Sequence, residues 1–543
     1  MMKKNATKKS KKNETKVIFV TGGVISGIGK GIVAASIGNI LKARGFKIFM
    51  QKLDCYLNID PGVLSPYEHG EVYVTADGGE TDLDLGHYER FVNETLTKDS
   101  NYTTGKIYQI IANKEKKGQY GGKTIQMIPH FINEIINIIQ KTIEKNNPDF
   151  FIVEIGGTVG DIESNPFIKA ISEYKFKNPG NTFFTHVTYI PWLNASKEFK
   201  TKPTQASLSI LASNGIKPNL VLLRSQDMVT NEISHKLSNL NYIKEDLILP
   251  LPDFDSVYKI PLYLESQNIC SKILEHFSMK NKKPNFEQWK KFVEKLEGKN
   301  KKEINISMVG KYTKLEDAYK SIKEALFISG VHENAHINFN WISSEDINEK
   351  NIKSKLENTD GVVVLPGFGK RGFEGKIVAV EYTRKNKIPT LGICFGMQAM
   401  TINQARNKGI KDATSSEISD KGTFVLDIIE GKNTEIIGGT LRLGLDSIII
   451  KDGTLANKIY DANKIFERSR HRYEVNPKYI SKLEDDNFIF SGYNEKKHLI
   501  EICELKNHPF YVGVQYHPEF NARPLSPSKL FSAFIQAIMK NKY

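Results

Sequence analysis

Gly392-Ile393-Cys394-Phe395-Gly396 sets a cysteine between two glycines, directly after the strand-like run Ile388–Leu391. G-x-C-x-G is the spacing of a nucleophile elbow. The glycines permit close packing at a strained strand-to-helix turn and leave the thiol exposed to substrate. A thiolate held this way attacks an amide carbon. Tyr516-His517-Pro518-Glu519 supplies an imidazole to hold or accept the proton and a carboxylate to orient it. The N–H of Phe395 is one oxyanion donor. The turn Pro366-Gly367-Phe368-Gly369 offers a second from Gly367. A lone cysteine is usually a buried packing residue; the elbow together with His-x-Glu favours the nucleophile.

A second chemistry stands near the N-terminus. After the apolar run Val17–Val20 comes Thr21-Gly22-Gly23-Val24-Ile25-Ser26-Gly27-Ile28-Gly29-Lys30-Gly31. Backbone N–H groups of such a loop, opening onto a helix N-terminus, bind phosphate oxygens, and Lys30 adds a point charge. The loop departs from G-x-x-x-x-G-K-[ST] at two places: Val24 replaces the first glycine, and Gly31 replaces the magnesium-binding hydroxyl. Magnesium must then find oxygen ligands elsewhere. The candidates are Asp84, in the acidic run Glu80–Asp84, and Glu154, which ends the apolar run Phe150–Val153. A nucleotide site and a thiol hydrolase on one chain suggest a synthetase that makes its own ammonia.

The elements that must position these residues read as α/β. Val17–Val20, Phe150–Val153, Val187–Ile190 and Leu220–Leu223 are uninterrupted apolar runs, the pattern of buried parallel strands. A fresh α/β series begins at Ile304–Val309 and continues through Gly361–Leu365 to the cysteine turn. The expected fold is an N-terminal P-loop-like parallel-sheet synthetase domain followed by an α/β class I glutamine amidotransferase domain. The boundaries are a disordered Lys-rich tail over 1–15, the synthetase over 16–279, a polar linker over 280–302 and the amidotransferase over 303–543.

The net charge of +14 suggests nucleic acid until it is located. Residues 1–16 carry +6 and residues 280–303 carry +5, leaving +3 for the rest. The excess reads as solvated tail and linker, and an RNA-binding reading is correspondingly weak. Neither a nucleic-acid nor a membrane partner is expected: no run of about 18 apolar residues is present. Four scattered cysteines without C-x-x-C fit a reducing, cytoplasmic setting.

Read together, these blocks closely resemble the CTP synthase family. The likeness runs from about Lys16 to about residue 538 and includes Thr21–Gly31, Ser65–Val72, Asp82–Phe91, Glu154–Ser164, Lys200–Gln205, Leu391–Gln398, His471–Asn476 and Gln515–Phe520. The resemblance implies amination of UTP to CTP with ATP and glutamine, a homotetramer, GTP as activator, CTP as feedback inhibitor, and filaments in some members. It places ATP on Gly27, Ile28, Gly29, Lys30, Gly31, Ile32 and Asp84, with Pro252, Asp253 and Phe254 at the adenine. Mg2+ falls to Asp84 and Glu154, and Lys52 helps stabilise the transferring phosphoryl group. UTP or CTP falls to Ser26, Asp161, Ile162, Glu163, Lys200, Thr201, Lys202, Pro203, Thr204, Gln205 and Lys236. Glutamine falls to Gly367, Phe395, Gly396, Met397, Gln398, Glu417 and Arg472, and the triad is Cys394, His517 and Glu519. One departure touches the chemistry: Pro366-Gly367-Phe368-Gly369 has one glycine fewer than the family's double glycine. This loop carries the second oxyanion donor and leads into Lys370-Arg371-Gly372, a region tied in the family to GTP activation.

The implied reaction phosphorylates O4 of UTP and replaces it with ammonia. Ammonium has no lone pair, so the coupling requires an enclosed passage between the domains. Two further readings compete. An amide-transferring synthetase acting on a carboxylate is disfavoured by the nucleotide-like block Lys200–Gln205. A non-catalytic scaffold is disfavoured by the intact Cys394, His517, Glu519, Lys30, Asp84 and Glu154.

Overall fold

A computed structural model describes residues 14–428, 441–496 and 498–543. The expected tail lies, through residue 13, outside the described residues. The chain forms two compact units that do not follow chain order: residues up to Ile59 with Asp99–Phe286, and Asp60–Lys98 with Glu287–Tyr543.

The first unit is built on seven strands: β1 (Lys16–Gly22), β2 (Ile48–Asp54), β3 (Asn101–Thr103), β4 (Phe150–Ile155), β5 (Thr182–Tyr189), β6 (Leu220–Ser225) and β7 (Ile248–Pro252). They run in the order β7-β6-β5-β1-β4-β2-β3, and every pairing is parallel. All six residues of β4 are buried, as a strand covered on both faces requires. Ligands of such sheets gather outside the carboxyl ends of the strands. The phosphate loop leaves β1 at that edge and enters the helix Lys30–Lys42.

The second unit carries a nine-stranded sheet of β8 (Lys302–Gly310), β9 (Ala335–Ser343), β10 (Gly361–Val364), β11 (Thr390–Ile393), β12 (Arg442–Ile450), β13 (Lys464–His471), β14 (Phe488–Asn494), β15 (Ile500–Leu505) and β16 (Tyr511–Val514). The order is β9-β8-β10-β11-β16-β15-β14-β12-β13, parallel from β9 to β16 and antiparallel beyond.

Residues 60–98 fall in the part of the chain read as synthetase, yet they pack within the second unit. A buried ion pair fixes them: Arg468 Nη2 meets Glu89 Oε2 at 2.7 Å, each side chain about 1% exposed. Arg468 also donates to the Tyr73 hydroxyl at 3.0 Å and the Val74 carbonyl at 2.9 Å, while Arg523 reaches Glu89 at 3.0 Å. Removing one partner of such a pair leaves an uncompensated buried charge. Glu89→Ala should therefore destabilise this unit by about 3–5 kcal/mol, seen as an earlier urea transition; a wild-type midpoint contradicts it.

The stretch 280–302, read as a solvated linker, instead contains the helix Glu287–Glu297. Trp289, Phe292 and Val293 are buried at i, i+3 and i+4, so its lysines and glutamates form the polar face of an amphipathic helix. Among the described residues no helix is long and apolar enough to cross a membrane.

Candidate active sites

Cys394 stands between β11 and the helix Phe395–Asn407 with φ 52° and ψ −101°. A non-glycine residue holds that conformation only when its surroundings enforce it, and such strain concentrates at functional sites. Both flanking glycines are sterically required. A Cβ on Gly396 would lie 2.1 Å from the Val364 carbonyl oxygen, and one on Gly392 2.9 Å from the carbonyl carbon of Gly396. The neighbouring strand β16 delivers His517 past the end of its parallel pairing with β11. His517 Nδ1 lies 2.7 Å from Glu519 Oε1, and the ring stacks on Phe520. Among the described residues Nε2 makes no hydrogen bond of ordinary geometry, but the Cys394 sulfur is close enough to act on the ring's charge. Burial alone would lower the imidazolium; Glu519 and then Cys394 outweigh it and raise His517 to about 10. Sequence reasoning placed Gln515 at the head of the block Gln515–Phe520 but gave it no role; its Nε2 approaches the Cys394 sulfur at 3.5 Å.

Cys394, His517 and Glu519 open onto a cavity of about 540 Å³. Gly367, Glu417 and Arg472 line it, and so do Arg470, Glu71 and Glu80. Carboxylates and guanidinium groups together suit a zwitterionic substrate. Glu417 accepts from the Gly369 N–H at 2.7 Å. Burial raises its carboxyl, against the pull of that N–H and of Arg472. Arg470 is gripped by Glu80 at 2.9 Å and by the Gly62 carbonyl at 3.0 Å, so residues 60–98 wall the cavity. Phe395, Gly396, Met397 and Gln398 form the first turn of the helix behind the sulfur. The buried Gln398 amide donates to the Tyr473 carbonyl at 3.1 Å and to Gln515 at 3.3 Å.

In the first unit, the phosphate loop bends at Val24 (φ 79°), Gly27 (φ 68°) and Gly29 (φ 88°). Val24 thus adopts the glycine-like conformation that its position in the loop demands. Lys30 Nζ donates to the Gly157 carbonyl at 2.8 Å, and its stem runs over Gly22, where a Cβ would sit 2.5 Å from Lys30 Cδ. Lys52 and Glu154 are register partners on β2 and β4, which puts them on one face of the sheet. Asp54, two residues beyond Lys52, shares that face, with its carboxylate 3.4 Å from Lys52 Nζ. Sequence reasoning did not single out Asp54; only register reveals it. Glu154 and Asp54 supply hard oxygen donors of the kind Mg2+ takes. Asp84 begins the helix Asp84–Val92 of the second unit.

Thr201 Oγ1 accepts from Gln205 at 2.9 Å, and Thr204 bonds Thr188 at 3.0 Å. Lys202 and Pro203 open the helix Lys202–Ser213, and Lys200 pairs with Glu198. The exposed Lys236 acts electrostatically on the same Glu198. Ser26 and the Asp161-Ile162-Glu163 turn lie at the surface, Ile162 being 83% exposed. Pro252 ends β7, Asp253 pairs with Arg224 at 2.5 Å, and Phe254 packs on Tyr263.

A cysteine elbow with its His–Glu pair, joined to a parallel-sheet unit with a phosphate loop, defines a synthetase of the glutamine amidotransferase class. The family described as CTP synthase N-terminus matches residues 16–279, and glutamine amidotransferase class-I matches residues 314–537. A CTP synthase of Mycoplasmopsis pulmonis is 56% identical over 97% of this chain and 98% of its own. Those of Mesoplasma florum and Hydrogenobaculum sp. are each 48% identical, over 97% and 96% of this chain and 100% and 98% of their own. The chain belongs to the CTP synthase family, a ligase that converts UTP to CTP with glutamine as nitrogen donor.

Proposed function

We propose that the two units divide this reaction, and the placement of Cys394, His517 and Glu519 on one cavity carries the reading. The Cys394 thiolate adds to the γ-amide carbon of glutamine: a C–S bond forms and the carbonyl electron pair moves onto oxygen. The N–H groups of Phe395 and Gly367 receive that oxyanion. Collapse breaks the C–N bond while His517 gives its proton to the departing amide nitrogen, so that neutral ammonia is released, and water then cleaves the thioester to glutamate and free thiol. In the first unit the γ-phosphoryl group of ATP passes to O4 of UTP, with Lys30 and Lys52 stabilising the developing charge. Ammonia attacks C4 and phosphate leaves.

The resemblance assigns Mg2+ to Asp84 and Glu154, where it would neutralise charge on the ATP phosphates. It also supports GTP activation, CTP feedback and assembly as a homotetramer that can extend into filaments. Four free cysteines fit work in the reducing cytoplasm. The deciding assay supplies UTP, ATP and magnesium, with glutamine or ammonium, each with and without GTP. CTP should form from either nitrogen source; its absence with both overturns the reading.

A further inference from the structure

Lys376, on the helix Phe373–Lys385, is fully buried. Among the described residues its ammonium donates to no carboxylate. It donates to two carbonyl oxygens of the turn facing Cys394, Leu365 and, at 3.4 Å, Pro366. The Tyr319 hydroxyl donates to the same Pro366 oxygen at 3.4 Å. Further along the turn, Lys311 holds the Phe368 carbonyl. The Lys376 nitrogen also sits 5.0 Å from the ring centroid of Phe395, the residue after the nucleophile. Burial, then the charge of Lys311, pushes its ammonium down to about 7, with Cys394 and Glu417 acting in the other direction. A buried ammonium carries a desolvation cost that needs a structural return.

That return is legible in peptide geometry. The carbonyl and N–H of a trans peptide point to opposite sides of the chain. Pro366 fixes its own φ and has no N–H, so the first donor the turn can offer is that of Gly367. Two buried donors hold the Pro366 oxygen on one side, which sends the Gly367 N–H to the other. Gly367 and Cys394 line the same cavity.

We propose that Lys376 is a positioning residue for glutamine hydrolysis: with Tyr319 it fixes the Pro366–Gly367 peptide so that the Gly367 N–H meets the oxyanion formed on Cys394. The proposal rests on reading Gly367 as an oxyanion donor. A correctly aimed donor contributes to the tetrahedral state and little to bound glutamine, so its loss separates kcat from KM.

The test compares K376M and Y319F with the wild-type full chain. It measures glutaminase kcat and KM, and binding of two probes: the γ-aldehyde analogue of glutamine, which adds to Cys394 as a tetrahedral hemithioacetal, and glutamate. For K376M, kcat should fall about 10–100-fold, short of the loss for deleting a donor outright. KM and glutamate affinity should hold within about twofold, and aldehyde affinity should fall in step with kcat. Y319F should shift the same quantities several-fold in the same direction. Wild-type kcat and aldehyde affinity in K376M overturn the proposal, as does a parallel loss for every ligand. Should K376M not fold, unchanged kcat and aldehyde binding in Y319F overturn it. The underlying reading fails separately, if the wild-type protein binds the aldehyde no better than glutamate.

Discussion

Cys394→Ala eliminates CTP formation from glutamine and leaves formation from ammonium in place. The glutamine-dependent rate should fall by at least about 10⁴-fold, because no neighbouring group replaces the lost nucleophile. The sulfur lies at the foot of a cavity wholly within the second unit, beside His517 and Gln515. The substitution is mild on packing, since alanine differs from cysteine by one buried sulfur. It even leaves the elbow's backbone demand unchanged, as alanine must adopt the same φ 52° conformation. On the proposed division, phosphoryl transfer to UTP does not use the thiol. External ammonia can then serve as nucleophile, and because only the unprotonated form attacks, the ammonium-driven rate of the variant should climb with pH. Equal loss with both nitrogen sources would contradict the division of labour.

The chemistry was more legible than the packing that holds it. Gly392 and Gly396 announced the elbow because a side chain at either position collides with backbone, a local constraint visible in spacing. The His-x-Glu pair was legible for the same reason, both groups lying within three residues. Nothing beside Glu89 in the sequence marks it as buried, yet it pairs with Arg468, 379 residues away. No local pattern encodes a partner at that distance. Lys376 was likewise not singled out from the sequence, and its burial and carbonyl partners alone set it apart. The β5 run was read as Val187–Ile190, but the strand spans Thr182–Tyr189; its buried Thr182, Thr185 and His186 hid the start. His186 is neutral there, pushed down to about 3 by burial and then by Lys30, and it bridges Thr21 and Ser207. Polar residues with internal partners satisfy a buried strand while erasing its apolar signature.

Lys30→Ala should cut CTP formation from both nitrogen sources alike, by about 10²–10³-fold, a pattern unlike that of the thiol variant. Lys30 opens the helix after the phosphate loop, with its stem laid over Gly22 and its ammonium on the Gly157 carbonyl. It faces the edge of the sheet where Lys52 and Glu154 stand in register. A point charge there acts on negative charge that builds as the γ-phosphoryl group leaves, and removing one such donor costs about 10²–10³-fold in kcat. The helix N-terminus and the loop N–H groups remain, so ATP affinity should fall less than turnover. Glutaminase activity measured directly, without UTP, should keep its chemistry, since Cys394, His517 and Glu519 belong to the other unit. Ammonium-dependent turnover near wild type would remove Lys30 from phosphoryl transfer. Loss of glutamine hydrolysis together with synthesis would instead place its effect on folding, which a melting curve of the same sample would register.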